Sequence, residues 1–329
     1  MPRKCEPVAA AFRRFVRFKR RLGCKYPDAE RSVQAADRYL AEQGIRTIEE
    51  ITESHLQAWL VVRRQQIGQT TMALELDWLR RLFRFLLSRG MVTHDPTARL
   101  PRVRRPQHVP FVFSVEQMRL LLNEGVTVFR PWTRLLYATI FRLLYATGMR
   151  ISEALNLRVA DWDRHRETLL VGNTKFHKSR LLPIGRRAVE NLERYLAEMT
   201  RRGARVRAID FLFRPSPMRR SLARCQAHTV RAAFHVMLRR VGLALPRRDE
   251  GSRVYSQPRV HSIRHSFAVH RLLKWYREGQ DVNRKLILLT TYMGHSDIKH
   301  TQVYLTVSDV VLVEARRRVE DALRLGGRP

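Results

Sequence analysis

Pro96, Pro101, Pro106 and Pro110 fall within residues 91–111, and no regular helix or inner strand runs through such a stretch. Each proline fixes φ at about −65° and removes a backbone donor. Arg99, Arg102, Arg104 and Arg105 lie between them, so the stretch reads as an extended basic linker. It divides the chain into 1–90 and a second part opening near 112, where Ser114 offers a helix N-cap with Gln117 three residues on. A chain of 329 residues is long for one domain and sufficient for two.

Before the linker the pattern is helical. Met72, Leu76, Leu79, Phe83 and Leu86 recur at three- and four-residue steps and define one apolar face, with Arg80, Arg81 and Arg84 on other faces. Similar periodicity covers Ala9–Leu22, Ala29–Glu42 and Ser54–Gln66. The expectation for 1–90 is a small helical bundle with basic outer faces.

The charge limits the partners. Lys and Arg total 63 against 30 Asp and Glu, a net charge of +33 and a pI of about 11.5. Such an excess repels itself unless a polyanion lies near, and each neutralised phosphate releases a counterion. Nucleic acid therefore fits better than a ribosome-like structural role or an anionic membrane surface. The basic residues run through helical segments instead of forming a tail. No apolar run reaches the roughly 18 residues of a membrane span. The start, MPRKCEPVAAAFRRF, lacks the pattern of a secretory signal. Cys5, Cys24 and Cys225 are scattered, without metal-ligand spacing, which suits a reduced cytoplasmic compartment.

The second part is mixed. Helices are expected at Val115–Glu124, Trp132–Thr147, Ile151–Leu157, Arg186–Thr200, Thr229–Val241, Ser266–Glu278 and Asn283–Met293. Glu167–Gly172 and Ser179–Ile184 read as a β-hairpin turning near Phe176–His177, and Pro215–Ser221 and Leu245–Pro258 read as loops. Ser308–Leu325 reads as a last amphipathic helix, with Val311, Val313, Ala315, Val319, Ala322 and Leu323 as its apolar positions. The fold class is mainly α with a small antiparallel sheet, a helical domain followed by an α+β domain.

Four fragments carry chemistry: TGMRISEALNL (147–157), GNTKFHKSRLLPI (172–184), HSIRHSFAVH (261–270) and MGHSDIKHTQVYL (293–305). Attack on a phosphodiester spreads negative charge over its oxygens, and fixed donors must meet it. Arg150 and Arg264 suit this, since a guanidinium is always charged and forks onto phosphate. Gly148 can end one helix in a left-handed conformation, so that Arg150 begins the next. Tyr304 offers a nucleophile whose phenol, with a pKa near 10 (roughly), is lowered by cations. Lys175 sits at a hairpin turn and can protonate a leaving oxygen, with Lys178 as its rival. His261 and His295 titrate near neutrality and can move a proton or bind phosphate.

Taken singly, each residue has a plainer role. Arg150 could only pair with Glu153, His261 and His265 could be cap or core histidines, and Tyr304 could be a half-buried aromatic. His261, His265 and His270 lack an acidic cluster and a shared helical face, so no metal is expected.

Together the fragments resemble the motif boxes of the tyrosine recombinase (phage integrase) family, in a subgroup similar to mobile-element integrases. Gly148-Met149-Arg150-Ile151-Ser152-Glu153, Lys175 ahead of Arg180-Leu181-Leu182-Pro183, His261-x-x-Arg264, and Gly294-His295 followed by Thr301 and Tyr304 stand in the family's order. The stretch LLKWYREGQDVNRKLILLTTYMGHS, in which a Trp-Tyr pair follows the H-x-x-R segment, carries the subgroup likeness. The resemblance covers most of 112–307. It implies a catalytic domain at 112–307, a DNA core-binding domain at 1–90, and a tail at 308–329 that docks on a neighbouring protomer. It implies that Tyr304 forms a 3′-phosphotyrosyl link, Arg150 and Arg264 clamp the phosphate, and Lys175 protonates the leaving 5′-oxygen. His261 would assist at the tyrosine, His295 would bind the phosphate, and Glu153 would orient Arg150 or its neighbours.

The expected reaction is strand cutting and rejoining without metal, cofactor or ATP. The expected partners are double-stranded DNA bearing recombination sites, further copies as a dimer on a site and a tetramer in synapsis, accessory recombinases, and no membrane. Arg80, Arg81, Arg84, Arg102, Arg104 and Arg105 are the candidate DNA contacts. The expected setting is the bacterial cytoplasm, on the nucleoid. The competing functions are a type IB topoisomerase-like relaxing enzyme and a catalytically silent DNA-binding regulator.

Overall fold

Where apolar side chains recur on one helical face, the chain has folded that face inward. The computed structural model describes residues 7–23, 27–105, 107–172, 179–216, 223–246, 248–250, 253–295 and 297–306, with backbone alone at 27–33, 107, 248–250, 253 and 306. The chain divides into two compact units, Met1–Gln107 and His108–Pro329.

The first unit contains α1 (Val8–Arg21), α2 (Pro27–Glu42), α3 (Glu53–Gln66) and α4 (Gln69–Ser88). Met72, Leu76, Leu79, Phe83 and Leu86 of α4 are all buried, as their spacing requires. They pack with Phe12 and Phe15 of α1 and Trp59 of α3, and Trp78 meets the Phe12 ring edge-on at 5.5 Å between centroids. Each such aromatic removes enough apolar area from water to stabilise the unit by roughly 1.5–3 kcal/mol. Arg63 clamps Glu75 through two bonds, 3.0 Å from Nε and 2.6 Å from Nη2, joining α3 to α4.

The proline-rich stretch departs from a free strap. Val92, Thr97 and Leu100 are buried, and Arg80 donates from Nη2 to the carbonyl oxygens of Leu100 (2.7 Å) and Pro101 (3.2 Å). Arg105 pairs with Asp77 of α4. Prolines exclude helix but not packing, so the segment lies along α4 as far as Arg105.

β1 (Gln107–Val109) begins at the last residue of the first unit and runs into the second, where α5 (Val115–Asn123) follows and Ser114 and Gln117 form the expected reciprocal cap. Next come α6 (Pro131–Thr147), α7 (Ile151–Asn156), β2 (Trp162–Asp163), β3 (Thr168–Val171), β4 (Arg180–Pro183), α8 (Arg186–Arg201) and α9 (Ala227–Arg240). The unit continues with β5 (Arg248–Glu250), β6 (Arg253–Tyr255), α10 (Val260–Arg277), α11 (Val282–Met293) and α12 (Lys299–Thr306). β2, β3 and β4 form one antiparallel sheet with Leu169 opposite Leu182 and Val171 opposite Arg180. A second sheet has the order β1-β6-β5. The main core gathers Phe113, Phe141, Tyr195 and Phe234, and a smaller one joins α10, α11 and α12 around Leu272, Leu286 and Met293. The fold is thus mainly helical with small antiparallel sheets.

Three local expectations change. The loop expected at Leu245–Pro258 contains the β5–β6 hairpin, in which Asp249 faces Val254. Its charged residues hid the alternation that marks a strand. α10 starts at Val260 and not at Ser266, because Pro258 and the Arg259–Ser262 cap (N–H to Oγ, 3.1 Å) start it early. Tyr304 lies on a helix, α12, where none was expected. The turn at Phe176–His177, part of the loop at Pro215–Ser221, and the tail helix at Ser308–Leu325 fall outside the described residues. Among the described residues, no helix is long and apolar enough to cross a membrane.

Gly148 sets the geometry between α6 and α7. It holds φ 61° and ψ 15°, and a Cβ there would meet Phe267 Cδ1 at 2.3 Å. An alanine meets both the left-handed backbone penalty and a packed ring. Gly148→Ala is expected to lose about 2–4 kcal/mol of stability, read as a lower denaturant midpoint at unchanged slope.

Candidate active site

Two glycine-capped helix ends, the start of a third helix and the second turn of a fourth converge in the second unit. α6 ends at Gly148 and α11 ends at Gly294, both left-handed, while Arg150 caps the start of α7. Arg264 projects from α10 and is 2% exposed. Its guanidinium donates to Gly148 O (2.5 Å) and Met293 O (2.8 Å), the carbonyl ends of α6 and α11. Helix C-termini carry partial negative charge, so both bonds favour the cation electrostatically. Burial and the nearby Arg150 charge still pull its pKa down, to about 10.

Arg150 donates from Nη1 to Glu153 Oε1 at 2.8 Å, and its backbone N–H donates to Glu153 Oε2 at 2.9 Å. Arg180 of β4 holds the same carboxylate from Nη2 (2.9 Å) and donates from Nε to Tyr292 O of α11 (3.0 Å). Glu153 is buried, and burial alone would raise its pKa. The bonds from Arg180 and Arg150 outweigh that and hold it below the usual carboxylate value. Gly294 is the second position where only glycine fits, since a Cβ would lie 2.7 Å from Arg180 Nη1.

Tyr304 is 3% exposed, and its Oη lies 3.0 Å from Nδ1 of His265. Burial raises the phenol pKa, and the charges of Arg264 and Arg150 oppose that rise. His261 crosses the His265 ring at 90°, with 4.7 Å between centroids, and is an exposed residue. His295 Nδ1 lies 2.8 Å from the hydroxyl of the buried Thr301. Burial, then the surrounding positive groups, depress all three imidazoles, to about 4 for His261 and about 3 for His265 and His295.

The structure therefore brings Arg150, Glu153, His261, Arg264, His295 and Tyr304 into one mutually interacting cluster. Lys175 and Lys178 lie outside the described residues. Sequence reasoning missed Arg180, His265 and Thr301 as members. His265 stands one helical turn after His261, which is a readable signal; Arg180 and Thr301 gave none beyond their place in the motifs. Among the candidate DNA contacts, Arg81, Arg84, Arg102 and Arg104 are exposed, whereas Arg80 and Arg105 are engaged within the first unit. Among the described residues, no group of three or more His, Cys, Asp or Glu could hold a metal ion.

Residues 114–310 match the model of the phage integrase family, and residues 30–90 match that of the phage integrase N-terminal SAM-like domain. A Sinorhizobium fredii protein provisionally named integrase/recombinase y4rB is 30% identical over 318 residues, spanning 94% of this chain and 96% of that one. Tyrosine recombinase XerD of Shewanella oneidensis is 29% identical over 324 residues, 96% and 97% of the two chains. The fold is similar to a lambda integrase dimer bound to a COC′ core site, with a TM-score of 0.66 and 16% identity over 91% of this chain and 77% of that one. It is equally similar to the Tn1549 transposon integrase in complex with a circular intermediate DNA, with a TM-score of 0.66 and 17% identity over 96% and 99% of the chains. The chain belongs to the phage integrase family of tyrosine recombinases. It is a site-specific DNA recombinase by class, an assignment that supports neither the relaxing enzyme nor the silent regulator.

The depressed histidines make the fold acid-sensitive. A histidine whose pKa is lower folded than unfolded binds fewer protons in the native state, so stability falls as pH drops below the unfolded value of about 6.5. His265 and His295, largely buried, are each expected to contribute up to ~1 kcal/mol of loss per pH unit between pH 6.5 and 4. Glu153 adds its loss only below about pH 4, as its carboxylate protonates. Denaturant titrations at pH 7, 6 and 5 check this, and His295→Gln should flatten the slope.

Proposed function

We propose that Tyr304 attacks the scissile phosphate of double-stranded DNA. Its oxygen forms the bond to phosphorus as the bond to the 5′-oxygen breaks, leaving a 3′-phosphotyrosyl ester and a free 5′-hydroxyl. Arg150 and Arg264 clamp the non-bridging oxygens, His295 binds the phosphate, and His261 assists at the tyrosine. Lys175 protonates the departing 5′-oxygen. Glu153, held by Arg150 and Arg180, fixes the first guanidinium in place. The ester conserves the bond energy, so a 5′-hydroxyl from a partner strand reverses the attack without ATP. The observation that carries this reading is the meeting of Arg150, Arg264, His295 and Tyr304 from separate elements in one cluster.

Residues 1–90 act as the DNA core-binding domain, and 112–307 as the catalytic domain. Arg81, Arg84, Arg102 and Arg104 meet backbone phosphates, while Arg80 and Arg105 hold the proline-rich segment on α4. A lambda integrase is known as a dimer on a core site and as a tetramer on a Holliday junction. By that likeness this chain works as a dimer on each site and a tetramer in synapsis, with 308–329 docking on a neighbouring protomer and accessory recombinases as further partners. The similarity to a transposon integrase supports service to a mobile element, on nucleoid DNA.

The test is a nicked suicide substrate, in which the cut end diffuses away. Wild type is expected to accumulate a covalent protein–DNA adduct, and Tyr304→Phe none. Arg150→Ala and Arg264→Ala should each slow adduct formation by about 10²–10³. Full adduct yield from Tyr304→Phe would exclude this residue as the nucleophile.

A further inference from the structure

We propose that His265 is the base that takes the phenolic proton of Tyr304, and that bound phosphodiester makes it competent. This rests on the reading of Tyr304 as nucleophile. The Nδ1–Oη separation of 3.0 Å is within direct proton-transfer range, and both groups are largely enclosed. The rings lie 5.5 Å apart between centroids. His261, which the motif suggested for this task, sets its ring at right angles against His265, so its assistance at the tyrosine passes through that imidazole.

The groups acting on His265 are His261 and Arg264 from its own helix, His295 after α11, and Tyr304 on α12. Arg150, at the start of α7, acts on Arg264 and His261. Burial and this positive field keep the imidazole neutral in the free protein, so Nδ1 is able to accept a proton, but weakly. A phosphodiester seated between Arg150 and Arg264 brings a negative charge that offsets one guanidinium and stabilises an imidazolium. The same anion opposes a free phenolate, so the proton must leave as the bond to phosphorus forms.

In that step the Oη–H bond breaks, the proton moves to Nδ1, and Oη bonds to phosphorus. The phosphorus–5′-oxygen bond breaks towards oxygen, which takes its proton from Lys175. Rejoining runs the transfers backwards and returns the proton from Nδ1 to Oη. His265 is unchanged over the cycle, and without DNA the phenol stays protonated.

Single-turnover cleavage of the suicide substrate between pH 6 and 10 tests this with wild type, His265→Asn and His261→Asn. Asparagine keeps an acceptor near Nδ1 but cannot take the proton. His265→Asn is expected to bind DNA as wild type does and to cleave about 10²–10⁴ more slowly. Its rate should climb with pH as hydroxide replaces the base. A wild-type rate and pH profile in His265→Asn would overturn the assignment, as would a uniform loss matched by lowered thermal stability. The pH-dependent loss appearing in His261→Asn instead would also overturn it. Failure of wild type itself to form an adduct would strike at the role of Tyr304, not at that of His265.

Discussion

A guanidinium that is only 2% exposed must have its charge and donors met inside the protein, and Arg264 is met by the ends of two helices. The oxygens of Gly148 and Met293 come from α6 and α11, which are remote in sequence. Both helices must end where they do for Arg264 to be satisfied. A buried cation without its acceptors costs several kcal/mol, so this arginine selects one arrangement of α6, α10 and α11. The left-handed glycines at both ends are therefore part of the site as well as stops for the helices.

Glu153 extends this buried network. One carboxylate ties Arg150 at the start of α7 to Arg180 at the start of β4, and Arg180 in turn holds Tyr292 O near the end of α11. In the sheet register Val171 faces Arg180, so this anchor stands at the end of β4 that pairs with the last residue of β3. The β-hairpin, α7 and α11 thus share one buried ionic junction. Removing the carboxylate would leave two guanidiniums facing each other, which is costlier than losing the bonds themselves.

Much of this was legible because it is local. The periodicity of Met72 to Leu86 marks α4, Ser114 and Gln117 mark the start of α5, and Gly148 with Glu153 marks the break before Arg150. The motif order joined residues that no single helix or strand joins. What stayed hidden depends on contacts distant in sequence. The hydroxyl of Tyr304 finds His265 only because α12 packs on α10, and Arg180 finds Glu153 only once the hairpin lies beside α7. Prolines 96 and 101 said what the linker could not be, but Val92 and Leu100 decided where it lies.

The charges within the site complete the account. Arg150, Arg180 and Arg264 share the field of one carboxylate, and the neighbouring histidines are neutral at pH 7. The described cluster therefore carries an excess of positive charge inside the protein, where charges are screened less than at the surface. An anion entering there lowers the energy of the arginines and eases protonation of the imidazoles in the same act. Binding and activation are then one electrostatic event. A neutral molecule of the same shape would bring neither effect, so the cluster favours an anion that gains negative charge as it reacts.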